Sequence, residues 1–537
     1  MPRRPHLEED VAGHAETWPL ALEPRPYQVE AHDRMIERGN QLLALVMGAG
    51  KTLTALATIE TLHRMGEVSC GLVIVPNTLK YQWYDEITDK TGAPVQIIDG
   101  DLANKQFQLK HATRFRYNVI NPDVFSTKNG TSMVHYFLDG KIQFVVLDEA
   151  TVIKSFKAKR SRAIKAFARD LPYRFALSGQ PVENRPEELF SIMEFVDPSV
   201  LGDFKMFDRT FILRDNYGRP KRYRNLDVLK RAMAPVMYRK SRKDIEQYLP
   251  KIITTHVTVD LPAVSRRLYD FVVSDTLAVL EMMSPSGGFD LAAHYGDDDD
   301  TESGKFKGEI MSRVLAMRMI CDHPALLMTS ASQFDDPESS KGSRYASSLK
   351  AEGLITDALL AEDAKLKTTV ELVDEILSEH PQNRVVVFSF FKPMLAMLGR
   401  AIQKQKHRVA YITGDVDAHG RAQALDAFKK QTRVLLSSDA GQYGVDLPHV
   451  NYLISYDLPW SAGAYAQRVA RIDRISSVWP HVNVISVLTQ GTIEERQYEM
   501  LEQKRLVAEA FIDGRHRDTK GGFTLSLDTL RRFLQEH

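Results

Sequence analysis

A chain of 537 residues is too long for one simple domain, and at about 150 residues per domain it holds roughly three to four units. Hydrophobic residues make up 43% of it, enough for a sizeable core, which excludes a disordered chain. Lys plus Arg and Asp plus Glu number 70 each, so the net charge is zero and binding to nucleic acid by bulk charge is excluded; only charge sorted onto one surface remains.

The two cysteines, Cys70 and Cys321, lie far apart with no C-x-x-C spacing. A disulfide framework and a cysteine-based zinc site are therefore excluded, and the chain reads as reduced and intracellular. No run reaches 18 consecutive apolar residues, so no membrane span is expected. The N-terminus, MPRRPHLEED, is charged without a following apolar stretch, unlike a secretory signal.

From about residue 40 to 180 short apolar runs alternate with helical patterns. The strand candidates are LLALV (42–46), GLVIVP (71–76), VQIID (95–99), YNVIN (117–121), FVVLDE (144–149) and RFALSG (174–179). Continuous apolar runs suit strands covered on both faces of a parallel sheet. Between the first two, TLTALATIETLHR sets Leu53, Leu56 and Ala57 at helical spacing. MGAGKT (47–52) follows a strand and precedes a helix, the setting in which such a loop carries meaning. Gly48 and Gly50, with Met47 and Ala49 beside them, let backbone amides converge on phosphate oxygens. Lys51 offers a point charge to terminal phosphates, and the Thr52 hydroxyl is a candidate magnesium ligand. Asp148 and Glu149 close a buried strand. Alone, such a pair is usually a solvated strand end. In the same lobe as a phosphate loop, Asp148 becomes the candidate holder of Mg2+ and Glu149 the candidate base for an attacking water. LSGQP (177–181) is by itself a turn, but Ser178 there could sense a γ-phosphate.

The middle of the chain changes character. Residues 153–162 carry Lys154, Lys157, Lys159, Arg160 and Arg162 against no acid, and residues 205–243 hold 13 Lys or Arg against 3 Asp. Residues 284–310, with SPSGGF and the run Asp297 to Asp300, read as an exposed loop; residues 329–353, rich in Ser, Asp and Gly, read as a flexible connection. Cys321 and His323 are too few for a metal, so packing is expected of the first and helix capping of the second.

From about 365 to 500 the alternation returns. Leu366, Val370, Val373 and Leu377 mark a helix, followed by the strand candidates RVVVFSFF (384–391), VAYITG (409–414), RVLLSSD (433–439), YLISYD (452–457) and NVISVL (483–488). The turn AGQYGVDLP (440–448) offers Gly444 and Asp446 as candidate nucleotide-binding positions. QRVARIDR (467–474) puts Gln467, Arg471 and Arg474 on one face of an expected helix. Two arginines on one face repel unless an anion lies opposite, and a triphosphate in the first lobe would supply it; alone, the helix would read as a surface salt-bridge element. The two stretches together predict two doubly wound α/β lobes.

In this order the motifs resemble the superfamily-two helicase core, and specifically the Swi/Snf-type ATPases that translocate on duplex DNA. The resemblance spans roughly residues 22–535. It rests on EPRPYQ (23–28), MGAGKT, PNTLKYQWYDEI (76–87), DEAT, IKSFKAKRS (153–161) and LSGQPVENRPEELFSIMEF (177–195). It continues through SSDAGQYGVDLPHVNYLISYDLPW (437–460), QRVARIDRI (467–475) and KRLVAEAFIDG (504–514). YRKSRKDIEQYLP (238–250) and MICDHPALL (319–327) discriminate this family from helicases in general. Thr151, Gln180, Asp473, Ser476 and Ser477 depart from the family's usual residues.

The resemblance implies an α/β fold of two tandem RecA-like doubly wound parallel-sheet lobes with helical insertions. It divides the chain into an N-terminal segment (1–21), a first lobe with helical extension (22–245), a helical insertion and linker (246–360), a second lobe (361–500) and a helical tail (501–537). It implies ATP and Mg2+ as cofactors, with Arg25 and Gln28 at the base. Lys51, Asp148, Glu149, Arg471 and Arg474 would be catalytic. The implied partner is double-stranded DNA rather than RNA or single strands, with no membrane and no protein partner indicated. The implied setting is the cytoplasm of a bacterial or virus-infected cell, or another intracellular one. A strand-separating helicase and a binding module with a vestigial ATPase stay open as alternatives.

Overall fold

The computed structural model describes residues 18–182, 187–214, 220–281, 302–339, 341–414, 416, 418–439, 446–512, 530–531 and 534–535. The chain divides into two compact units, the first built chiefly from residues up to 248 and the second chiefly from 249 to 507.

The first unit holds seven parallel strands: β1 (Asn40–Leu45), β2 (Gly71–Ile74), β3 (Val95–Ile98), β4 (Tyr117–Ile120), β5 (Phe144–Leu147), β6 (Tyr173–Leu177) and β7 (Met237–Lys240). Their order across the sheet is β3-β4-β2-β5-β6-β1-β7. β2, β4 and β5 are buried along their whole length, as strands covered on both faces must be. Helices α1 (Pro26–Arg38), α2 (Lys51–Arg64) and α3 (Lys80–Thr91) each carry residues of the predicted motifs.

The second unit holds six parallel strands: β8 (Lys251–Val259), β9 (Val385–Phe388), β10 (Val409–Ile412), β11 (Val434–Ser437), β12 (Tyr452–Ser455) and β13 (His481–Thr489), in the order β8-β13-β12-β9-β11-β10. Helices Ala263–Glu281, Glu302–Asp322 and Ala364–Glu379 pack with this sheet into one core that includes Val272, Val314, Met317, Val373, Val387 and Leu436. Among the described residues no helix is long and apolar enough to cross a membrane.

All eleven strands expected from apolar runs are present, so the predicted parallel α/β architecture stands. Within these two sheets, two strands were not foreseen. β7 falls in the basic segment, and β8 mixes polar and apolar residues without regular alternation along a mostly exposed sheet edge. Residues 329–353 are not a flexible connection. They contain parts of helices Ala325–Asp335 and Arg344–Ala351, with Ala331, Ala346 and Leu349 buried. Small residues there serve close packing: a Cβ at Gly342 would stand 2.4 Å from the Ser330 carbonyl oxygen and the Phe334 nitrogen. Of the loop expected at 284–310, the part up to 301 lies outside the described residues, and from Glu302 the chain is helical. Cys321 is buried, and the His323 Nδ1 accepts a hydrogen bond from the Ala325 nitrogen at 3.1 Å, the expected packing and capping roles.

Candidate active site

The C-terminal ends of β1, β6 and β5, neighbours in the sheet, open on one crevice, and each carries a predicted motif. A parallel sheet gathers ligand-binding loops there because all its strands point the same way. After β1 the chain turns through Gly48 and Gly50, at φ 79° and 80°, and enters α2 at Lys51. These are left-handed conformations that glycine adopts freely. They leave the first amides of α2, which have no partner inside the helix, as anion donors. The Lys51 Nζ donates to the Leu45 carbonyl at 3.3 Å. After β6, Gly179 presses on the same loop: a Cβ there would lie 2.4 Å from Met47 Cγ and 3.3 Å from Lys51 Nζ. Ser178 is buried, and its hydroxyl accepts from the Gln180 nitrogen at 3.2 Å.

α1 supports the loop from the other side. Tyr27 Oη and Gln28 Nε2 both donate to the Ala49 carbonyl, at 3.0 and 3.1 Å. The Gln28 Oε1 accepts from the Arg25 nitrogen at 2.8 Å, and the Arg25 guanidinium lies 5.2 Å from the centre of the Tyr248 ring. The two residues expected at a base are thus joined to each other and to the phosphate loop.

At the end of β5, Asp148 is 7% exposed. Its Oδ1 accepts from the Glu149 nitrogen at 2.8 Å and its Oδ2 from the Trp83 indole at 2.8 Å. Burial pushes the carboxyl above the usual carboxylate range, while the Trp83 hydrogen bond and the Lys51 charge oppose that shift. Glu149 sits at φ 47°, ψ 59°, in the left-handed region. For a residue with a side chain this costs on the order of 1–3 kcal/mol and marks a position whose direction is set by its surroundings.

Among the described residues no group of three or more His, Cys, Asp or Glu could hold a metal. Mg2+ does not call for such a group, since it is usually bound by one or two carboxylates together with substrate phosphates and water. The hard oxygen donors that could hold it are Asp148, which feels the charge of Lys51, and Thr52, the next residue after Lys51 on α2.

Around the expected arginine pair the second unit departs from expectation. The helix Ala462–Val469 ends before Arg471, so Gln467, Arg471 and Arg474 do not share a helical face. The Arg471 carbonyl is taken by the Leu447 nitrogen at 2.9 Å, and the chain turns to bury Ile472 completely. Arg471 is itself buried, and Arg474 pairs with Asp446 at 2.5 Å. Gly444 lies outside the described residues.

The SNF2-related domain matches residues 27–326, more than half of the chain. The chain belongs to the SNF2-related family. The resemblance read from the motifs is borne out, and the helicase conserved C-terminal domain matches residues 366–476 of this SNF2-related chain. YwqA of Bacillus subtilis (strain 168) is 27% identical over 503 residues, covering 91% of this chain and 48% of its own. The mouse DNA repair and recombination protein RAD54B is 23% identical, covering 95% and 57%. The SNF2-related chain thus spans about half the length of the curated relatives it matches. The Hef helicase domain of Pyrococcus furiosus aligns with 89% of this chain and 98% of its own at TM-score 0.53 and 16% identity, a likeness of fold.

Two residues in this SNF2-related chain were given no role from sequence. Trp83 lay inside the quoted segment 76–87, with nothing to say that its indole meets Asp148. Arg468, beside the expected arginine pair, is fully buried. It donates to both carboxylate oxygens of Asp439, at 2.6 and 2.8 Å, and lies 3.4 Å from Asp457 Oδ1. Asp457 in turn accepts from Ser389 Oγ at 2.6 Å and from the Phe390 nitrogen. The available signal was that the apolar strands ending at Phe388, Ser437 and Ser455 are each followed within two residues by a small polar or acidic residue, Ser389, Asp439 and Asp457, next to a buried sheet, where a cation was needed.

Proposed function

We propose that this chain is an ATP-driven DNA translocase motor, hydrolysing ATP with Mg2+ at the first unit's crevice and moving on duplex DNA inside the cell. The observation that carries the reading is the convergence of the Lys51 loop, Asp148–Glu149 and Ser178–Gly179 at three neighbouring strand ends. The loop amides and Lys51 hold the β- and γ-phosphates. Asp148 and Thr52 are the residues that would hold Mg2+, which when bound neutralises developing phosphate charge. Glu149 orients the attacking water and takes its proton, and Gln28 with Arg25 meets the base. Arg471 and Arg474, with Asp446 and Gly444, serve the same hydrolysis from the second unit's sequence. The mouse relative is named for DNA repair and recombination, which agrees with a DNA substrate.

The test is an ATPase assay with and without nucleic acid, on the parent and four variants. Lys51→Ala should weaken nucleotide binding, and Glu149→Gln should bind ATP but not turn it over. Arg471→Ala and Arg474→Ala should bind ATP and lose hydrolysis by about 10³-fold or more. Parent-rate hydrolysis by Glu149→Gln would remove Glu149 from the chemistry.

A further inference from the structure

We infer that Trp83 is a positioning residue for the metal-holding carboxylate: its indole N–H, 2.8 Å from Asp148 Oδ2, fixes the rotation of that carboxyl group and thereby sets the affinity for Mg2+. The inference rests on reading Asp148 as the Mg2+ ligand.

Lys80, Trp83 and Ile87, spaced three and four along α3, form its buried face. Ile87 packs, and Lys80 is tied to Asp99. Trp83 is 2% exposed, and a buried indole N–H needs an acceptor. Here the acceptor is an acid at the end of β5 that faces the charge of Lys51, rather than a backbone carbonyl. A carboxylate has about four lone-pair positions. Two are taken, one on each oxygen, by donors from different elements: the Glu149 amide and the Trp83 indole. A carboxylate held at both oxygens cannot swing about its terminal torsion, and its two remaining lone pairs keep one direction. Partners of this kind behind a metal ligand typically alter metal affinity about 10- to 100-fold when removed. A phenylalanine keeps an aromatic ring but is smaller and lacks the nitrogen, so its packing cost falls on stability while the lost hydrogen bond falls on the carboxylate.

The test measures binding of an ATP analogue carrying an N-methylanthraniloyl group, by anisotropy, as Mg2+ is titrated from an EDTA baseline. Trp83→Phe should raise the half-saturating Mg2+ concentration about 10-fold or more, with the metal-free affinity of the parent. A purely structural role would lower the melting temperature and leave the Mg2+ midpoint in place, which overturns the inference. A parent with no Mg2+-dependent binding would overturn the reading of Asp148 as well, so the two failures are distinguishable. Should Trp83→Phe not fold, the parent carries its own probe. The protein has four tryptophans, and Trp→Phe changes at Trp18, Trp460 and Trp479 assign the Trp83 indole 15N–H resonance by elimination. That resonance should move when Mg2+ is added to the nucleotide-loaded protein and not when nucleotide is added in EDTA; an unmoved resonance rejects the proposal.

Discussion

Gly50 and Gly66 share nearly the same backbone angle, φ 80° and 78°, but not the same surroundings. A Cβ at Gly50 would lie 2.3 Å from Gln28 Nε2, whereas at Gly66 nothing stands within 4 Å. Alanine at either position carries a left-handed penalty of about 1–2 kcal/mol. Only at Gly50 must Gln28 also leave the Ala49 carbonyl. Gly50→Ala should therefore weaken nucleotide binding at least about tenfold, or 1.4 kcal/mol. Gly66→Ala should lower stability alone, and titration of both variants with a fluorescent nucleotide separates the two effects. Gln41 makes the opposite case. It is fully buried in β1, and neither its Oε1 nor its Nε2 has a hydrogen-bond partner. Leaving a buried amide unpartnered costs about 1–3 kcal/mol. Gln41→Met, close in shape, should raise the melting temperature; a fall would mean that the amide is satisfied by solvent.

At the level of elements, three helices of the second unit meet in a buried charge cluster. Lys365, on Ala364–Glu379, lies 2.9 Å from Asp322 at the end of Glu302–Asp322 and 2.6 Å from Glu494 on Ile493–Ile512. Burial opposes the charge on Lys365, yet the two carboxylates outweigh it and hold the ammonium above the ordinary lysine range. Two acids against one cation leave an excess, and burial pushes the Asp322 carboxyl up. Lys365→Met would strand both acids and should destabilise the second unit by about 3–5 kcal/mol. Urea unfolding followed through the emission of Trp460 and Trp479 reads this; a loss under 1 kcal/mol would mean that the acids find other partners. None of this was legible beforehand, because each ion sits in a different segment and only the fold joins them. What was legible were features that one segment carries alone: the apolar runs of both sheets, and the glycine loop between a strand and a helix. The arginine pair was found, but its helix was not delimited: it ends at Val469, and just beyond it the Arg471 carbonyl bonds to Leu447 from another segment. β8 escaped for a similar reason. Its nine residues pair in register from Lys251↔His481 to Val259↔Thr489, and its partner strand, not its own pattern, makes it a strand.

At the scale of the whole chain, zero net charge bears on how DNA would be held. A neutral protein gains nothing from long-range attraction as a whole, so phosphate contacts must come from local excess charge. Residues 153–162 of the first unit qualify without any opposing acid: Lys157, Lys159 and Arg162 there are exposed. Arg160, in contrast, is engaged with Asp123 at 2.8 Å. Contacts to phosphates make stimulation of ATP hydrolysis nearly independent of sequence and steeply dependent on salt, with a log–log slope of about −0.9 per phosphate neutralised. Duplex DNA should stimulate hydrolysis more than single strands or RNA, and six contacts would give a slope of about −5. Replacing Lys157, Lys159 and Arg162 together by alanine should make that slope shallower by up to about 2.7 and lower the apparent DNA affinity equally for unrelated sequences. Each protein is measured against its own rate without DNA, which removes any difference in folding yield. A slope identical to the parent's would place the DNA contacts elsewhere. Stimulation by single strands alone, with separation of a forked duplex, would assign the motor to strand opening instead of movement on paired DNA.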